Sequence, residues 1–224
     1  MNAEVEAEVI AIDGPSASGK STIARRVAES LGRLYVDSGA LYRVVTWRIL
    51  EQGVAVDDLE AVTRVVDSMA PVFFVEEGAV RFSIDGLRPD TALREERINA
   101  NVSRVAAYPA VRRRVVAWLR GMARFGALVM EGRDIGTAVF PGAGLKFYLD
   151  ASPEERARRR HRDREAAGVS REDVYDSIER RDRIDSTREM DPLKVAEGAV
   201  RIDSTGLEIE QTVAAVLSRI AEGS

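Results

Sequence analysis

At 224 residues, 45% hydrophobic and 31% charged, the chain has the length for one compact core carrying an insertion or lid, and its composition excludes collagen-like, low-complexity and disordered proteins. Zero cysteines and a single histidine, His161, exclude a disulfide scaffold, a zinc ribbon and a thiol nucleophile, and argue against multi-histidine metal sites and Ser-His-Asp hydrolysis. A net charge of −4, from 33 basic and 37 acidic residues, argues against a dedicated nucleic-acid binder, so any bound polyanion should be small.

The opening MNAEVEAE carries three glutamates and no basic stretch, and no apolar run approaches 18 residues. Neither export nor membrane spanning is expected, and a cytoplasmic location is. Val9 to Ile12 has the length of a buried strand that stops at Asp13-Gly14-Pro15, where glycine and proline break the pattern. Ile23, Ala24, Val27, Ala28 and Leu31 then follow helical spacing up to Gly32, a residue suited to end a helix. Leu34 to Val36 reads as a second strand, and Ser38 as the cap of a helix bearing Leu41, Val44, Val45 and Ile49. Residues 57–70 keep helical spacing. The rhythm then changes to alternation, with Phe73, Val75, Val80, Phe82 and Ile84 around turns at Glu77-Gly78 and Asp85-Gly86, the mark of a small antiparallel meander.

Helical spacing returns at Ile98, Val102 and Val105, and Pro109 suits the first position of a helix with Val111, Val115, Leu119 and Met122. Ala127 to Met130 and Phe147 to Leu149 read as third and fourth core strands, and Ser152-Pro153-Glu154-Glu155 opens a helix with a capping residue, a proline and an acid at fitting positions. From 151 to 191 there are eleven arginines, twelve acids and few apolar residues, which predicts an exposed, mobile pair of helices. The arginines at 156, 158, 159, 160, 162 and 164, with His161, read mostly as a solvated face, from which one or two arginines could reach the phosphates of ATP. Val200 to Ile202 and a helix with Ile209, Val213, Val216, Leu217 and Ile220 close the chain. The expected fold class is α/β: a five-stranded parallel sheet of the P-loop NTPase type, with helices on both faces and ligands at the carboxyl ends of the strands.

Gly14-Pro15-Ser16-Ala17-Ser18-Gly19-Lys20-Ser21 matches G-x-x-x-x-G-K-[ST] between a predicted strand and helix, the context the motif needs. Its backbone N–H groups are expected to close around phosphate oxygens, with Lys20 reaching the β and γ phosphates of a triphosphate and Ser21 a ligand for Mg²⁺. Only three lysines occur in the chain, which makes a chance match less plausible. The loop alone leaves a GTPase, a kinase and a motor open, although no NKxD string appears and motors normally need more length. Asp37 to Arg43 follows the second strand; Ser38 serves there as a cap, as a ligand residue or as both, and Arg43 can fork onto a phosphate or simply be solvated. Asp13 and Asp150 sit at strand ends, where they can hold metal-bound water, although capping or turn roles are the simpler reading.

GPSASGKST, DSGALYR, SRVAAYPAVR, EGRDIGTAVFP, RDRIDSTRE followed by DPL, and a late IDST occur in the order and spacing of the bacterial cytidylate kinases, and the chain resembles that family from about residue 9 to 218. The resemblance implies phosphorylation of CMP and dCMP with ATP and Mg²⁺. It implies core segments at 1–56, 109–150 and 192–224, a monophosphate-binding insertion with a small antiparallel sheet at 57–108, and a helical lid at 151–191. It further implies that Gly14 to Thr22 hold ATP, that Ser103, Arg112 and Asp134 read the cytosine, and that Arg43, Arg133 and Arg188 hold the monophosphate. Arg181, Asp185 and Ser38 match residues around the ribose and phosphate, with the register of Arg180 against Arg181 open by one residue. Lys20, Arg133 and Arg188 are the expected catalytic groups. The implied partners are small nucleotides, without nucleic acid or membrane, and a monomer is expected. Kinases for another small acceptor (UMP, AMP or shikimate) and a non-catalytic nucleotide-dependent switch are the competing readings.

Overall fold

The computed structural model describes Glu6, residues 8–162 and residues 168–222; Arg164 lies outside these. The first unit is β1 (Val9–Asp13), the loop to Gly19 and α1 (Lys20–Leu31), ended by Gly32 in the left-handed conformation. β2 (Leu34–Asp37) leads directly into α2 (Ser38–Glu51), and α3 (Leu59–Ser68) precedes the hairpin β3 (Pro71–Glu76) and β4 (Ala79–Ile84). The helices α4 (Glu96–Ala107) and α5 (Pro109–Gly121) lead to β5 (Leu128–Gly132). Then come β6 (Leu145–Asp150), α6 (Pro153–Arg162), α7 (Arg171–Thr187), β7 (Val200–Asp203) and α8 (Ile209–Glu222).

Side chains alternate across a sheet with period two, and the central strands show what that does when both faces are covered. Val9 and Ala11 of β1, Val36 of β2 and Leu128 and Met130 of β5 pack on the face formed by α2 to α5. Ile10, Ile12, Tyr35 and Val129 pack on the other, against Ile23, Ala24 and Val27 of α1 and Val216 and Ile220 of α8. Every residue of β1 and β5 is buried, which is why these strands read as continuous apolar runs.

The strand order is β3-β4-β2-β5-β1-β6-β7. The five expected strands are present and parallel, but the sheet has seven strands, not five. The hairpin does not stand apart as a small sheet. β4 lies parallel to β2 with Ala79 opposite Tyr35, and the Tyr35 N–H donates to Gly78 O at 3.0 Å. An otherwise unpaired edge of β2 is thereby covered. Only β3 runs antiparallel to its neighbour.

Two further expectations are corrected. The cap of α2 is Asp37, whose carboxylate accepts from Ala40 N–H at 2.9 Å; Ser38 is the first helical residue, and its hydroxyl donates instead to Glu131 O at 2.7 Å. The pair α6 and α7 is not a plain solvated element either. Ala157, Val174 and Ile178 form a small apolar core that Ala17 packs against, and Arg156, Asp185 and Arg188 are buried. Arg158 and Arg162 are exposed, whereas His161 is half-buried. Among the described residues no helix is long and apolar enough to cross a membrane.

Candidate active site

The carboxyl ends of β1, β2 and β5 lie side by side at one edge of the sheet because the strands are parallel and adjacent. At the end of β1 the chain must turn tightly past β6. Gly14, at φ 155°, does this where a Cβ would lie 2.0 Å from Leu149 O, so no other residue fits. The loop from Gly14 then wraps to the start of α1. Lys20 is buried, and its ammonium donates to Pro15 O at 2.7 Å and Ser18 Oγ at 3.3 Å. Burial, helped by nearby Arg133, pulls its pKa down to about 7, against the pull of Glu131 and Asp182. Ser21 donates to Glu131 Oε1 at 2.6 Å, and the Tyr35 hydroxyl approaches the same oxygen at 3.4 Å. Thr22 is exposed on the first turn of α1.

Glu131 is a site residue that sequence reasoning passed over. It lies at the end of the strand next to β1, and burial raises its carboxyl pKa. Its signal was available: an acid at the tip of a strand adjacent to the phosphate loop is where a residue facing the loop's hydroxyl must come from. Gly132 follows because a Cβ there would meet Ser38 Oγ at 2.5 Å and the Ile135 side chain at 2.7 Å. The chain then turns through Arg133 and Asp134 into one π-helical turn, Ile135–Val139, an element found often at functional sites. Asp13, at the tip of β1, caps this turn: its two carboxylate oxygens accept from Ile135 N–H and Gly136 N–H, both at 2.8 Å. Burial lifts Asp13 to about 7 despite those two bonds.

Opposite the phosphate loop stand two linked groups of charges. In the first, Arg112 is wholly buried on α5 and is ion-paired with Asp134 and, at 2.9 Å, with Asp191. Arg188 lies 3.3 Å from Asp134 and 3.7 Å from Asp185, and donates to Asp191 O at 2.8 and 2.6 Å. The Tyr42 ring lies under the Arg112 guanidinium at 5.6 Å, and burial raises the pKa of both its hydroxyl and Asp134. In the second group, Arg133 donates to Asp185 Oδ2 at 3.0 Å and Arg43 to Asn99 Oδ1 at 2.6 Å. Burial depresses Arg43, and Arg160 and Arg133 depress it further. Arg181 falls to about 9 through burial and then through Arg43 and Arg133. Its buried Nε makes no hydrogen bond. Like charges are thus held close in a desolvated place, an arrangement that favours an anion among them.

Of the two residues whose register is open, Arg181 faces this cluster, whereas Arg180 is exposed. Ser103 is buried on α4, which packs against α2 and α7. Ser38, Arg43, Arg112, Arg133, Asp134, Arg181, Asp185 and Arg188 are therefore linked around one cleft. Asn99, Asp182, Asp191, Arg156 and Arg159 join them without having been singled out. Arg159 is no solvated residue: it donates to Ser18 O at 3.3 Å and to Ser204 Oγ and O at 3.0 and 2.6 Å, fastening the phosphate loop to the segment after β7.

A family model described as cytidylate kinase matches residues 10–222. A cytidylate kinase of Geobacillus sp. (strain WCH70) is 44% identical over 216 residues, covering 95% of this chain and 96% of that protein. A bifunctional pantoate ligase/cytidylate kinase of Synechococcus sp. (strain CC9311) is 44% identical over 212 residues; the match takes in 93% of this chain but only 43% of that longer protein. The fold is also that of an uncharacterized protein from Eubacterium ventriosum, with TM-score 0.51 at 11% identity over 95% of this chain and 98% of that one. A match running through the phosphate loop, the arginine cluster and the Arg112–Asp134 pair, at this identity and coverage, means that the chain belongs to the cytidylate kinase family.

Proposed function

We infer that the chain transfers the γ-phosphoryl group of ATP to CMP or dCMP, giving ADP and CDP or dCDP. The observation that carries this reading is the cluster of Arg43, Arg133 and Arg181, in which Arg43 and Arg181 are depressed by burial and by neighbouring guanidinium charge, beside a glycine-rich phosphate loop. Two mutually repelling polyanions need that kind of opposed cation set to be brought in line.

In this reading the residues from Gly14 to Thr22 hold ATP, and Lys20 leaves Pro15 O to meet the β and γ phosphates. Arg43, Arg133, Arg181 and Arg188 hold the acceptor phosphate. One of its anionic oxygens attacks the γ phosphorus as the bond to the β-phosphate oxygen breaks, and ADP leaves. The acceptor is already an anion, so no general base is required. Lys20, Arg133 and Arg188 stabilise the charge spread over the transferring group. The base faces Ser103, Arg112 and Asp134. A carboxylate accepts from an exocyclic amine and a guanidinium donates to ring acceptors, so the pair suits cytosine. Asp185 and Ser38 are assigned to the ribose and phosphate. Ser21 and Glu131, with oxygens 2.6 Å apart, fit a Mg²⁺ ion that is bound through few protein oxygens; when bound it neutralises phosphate charge.

Residues 57–108 serve as the monophosphate-binding insertion and 151–191 as a lid that excludes water. The protein is assigned as a cytoplasmic monomer. The test is ADP formation from ATP and Mg²⁺ with CMP, dCMP, UMP, AMP, shikimate or no acceptor. Turnover confined to cytidine monophosphates, with UMP at most a poor substitute, is expected. Equal turnover of AMP or shikimate, or ADP formation indifferent to acceptor, would overturn the assignment.

A further inference from the structure

Arg156 and Asp182 have no part in the chemistry above, yet together they hold the backbone N–H and C=O of one phosphate-loop residue, Ser16. Ser16 N–H donates to Asp182 Oδ1 at 2.8 Å. Ser16 O accepts from Arg156 Nη1 at 3.0 Å, and the same nitrogen is ion-paired with Asp182 Oδ2. The ring is closed: peptide N–H, carboxylate, guanidinium, peptide carbonyl. Arg156 is itself fixed by donation from Nε to Ala151 O at 3.1 Å and is buried. The next loop residue, Ala17, packs on Ala157, Val174 and Ile178 of the same two helices. Donor-loop geometry therefore depends on where α6 and α7 sit.

α7 also carries acceptor-side groups. Asp182 follows Arg181 directly and precedes Asp185 by three residues, so Asp182 and Asp185 lie on neighbouring turns of one face. Asp185 pairs with Arg133 and Arg188, and Arg181 faces Arg43. Asp182 is close enough to Lys20 and to Arg133 to favour the charge of both. A single helix thus rests on the donor loop at 182 and on the acceptor cluster at 181 and 185, with Arg188 just past its end. In the structure this helix is seated on Ser16.

We propose that Arg156 and Asp182 are positioning residues that couple the two nucleotide sites: an acceptor gathered by Arg181, Asp185 and Arg188 seats α7, and the seated α7 fixes Ser16 for ATP. Linkage makes the effect reciprocal, so ATP tightens the acceptor by the same factor. This rests on the assignment of the two sites made above.

The test uses the full chain, Mg²⁺ and a non-hydrolysable ATP analogue, whose Kd is measured by calorimetry with and without saturating CMP. In the unsubstituted protein CMP should tighten the analogue by about 5- to 150-fold, the ordinary range of coupling between sites. In Asp182→Ala that factor should fall to within about twofold of one. Arg156→Lys keeps the charge but cannot span Ser16 O and Asp182, and should reduce the factor as well. Should Asp182→Ala fail to fold, Asp182→Asn, which still offers Ser16 an acceptor, is read in the same way. A role in packing alone would lower Tm while leaving the coupling factor where it was. A variant factor equal to that of the unsubstituted protein, or no coupling in the unsubstituted protein, overturns the proposal. Failure of that protein to bind CMP at all would instead overturn the assignment of the acceptor site.

Discussion

Asp13→Asn separates two opposing effects at one buried group. The carboxylate accepts two backbone N–H bonds at 2.8 Å, and an amide offers only one acceptor, so one N–H of the π-helical turn loses its partner at a cost of about 1–3 kcal/mol. Against this, burial raises Asp13 from 3.8 to about 7, so the ionised group is itself a burden on the fold. The sign follows from proton counting. Between about pH 4 and pH 7 the folded chain keeps a proton that the unfolded chain has released, and stability from this group, full at lower pH, is lost as pH rises through the window. One unit of pKa is worth about 1.4 kcal/mol, so the loss between about pH 5 and about pH 8 is roughly 2 to 3 kcal/mol. The asparagine variant lacks that slope. Urea unfolding of both proteins at the two pH values should show the variant gaining roughly 2 to 3 kcal/mol relative to the unsubstituted protein between about pH 5 and about pH 8. A gap of the same size at both would refute the claim that Asp13 titrates with folding.

Asp134→Ala leaves the guanidiniums of Arg112 and Arg188 buried without their shared carboxylate, and unfolding free energy should fall by about 3–5 kcal/mol in chemical denaturation. Steady-state assays of the same variant should show KM for CMP raised at least about tenfold, with KM for ATP far less affected; an unmoved KM for CMP would remove Asp134 from the base site. Arg181→Met takes a desolvated guanidinium with an unbonded Nε out of a like-charged cluster. Tm without nucleotide should rise by about 2–4 °C, while CMP-dependent ADP formation drops by about 100-fold or more. A fall in Tm would mean that Arg181 stabilises the free enzyme.

The phosphate loop and the five central strands were legible because their signals are local. Glycine and proline end β1 where the chain must turn, and apolar runs mark strands covered on both faces. The docking of the hairpin was not legible, since nothing in 79–84 states that Ala79 will lie beside Tyr35; edge pairing is decided by what else is available to cover β2. Asp37 displaced Ser38 as cap because either side chain can do the work, and the Ser38 hydroxyl had a partner in Glu131 O that only the folded chain supplies. Arg156 and Arg159 looked solvated for the same reason. An arginine-rich helix has the same composition whether its guanidiniums face water or the carbonyls of Ser16 and Ser18.

The near-exclusive use of arginine on the acceptor side follows from what burial does to the two kinds of cation. Lys20, buried against the loop, is drawn down to about 7 and rests on Pro15 O, so only a phosphate beside it secures its charge. Arg181, under burial plus two neighbouring guanidiniums, falls only to about 9 and stays ionised at neutral pH. A lysine in its place starts about two or more units lower and would surrender its proton to the same forces. On the assignment proposed above, the acceptor cluster must therefore be guanidinium if it is to be charged before the second anion arrives, and the repulsion held in that state would be relieved when the phosphate binds.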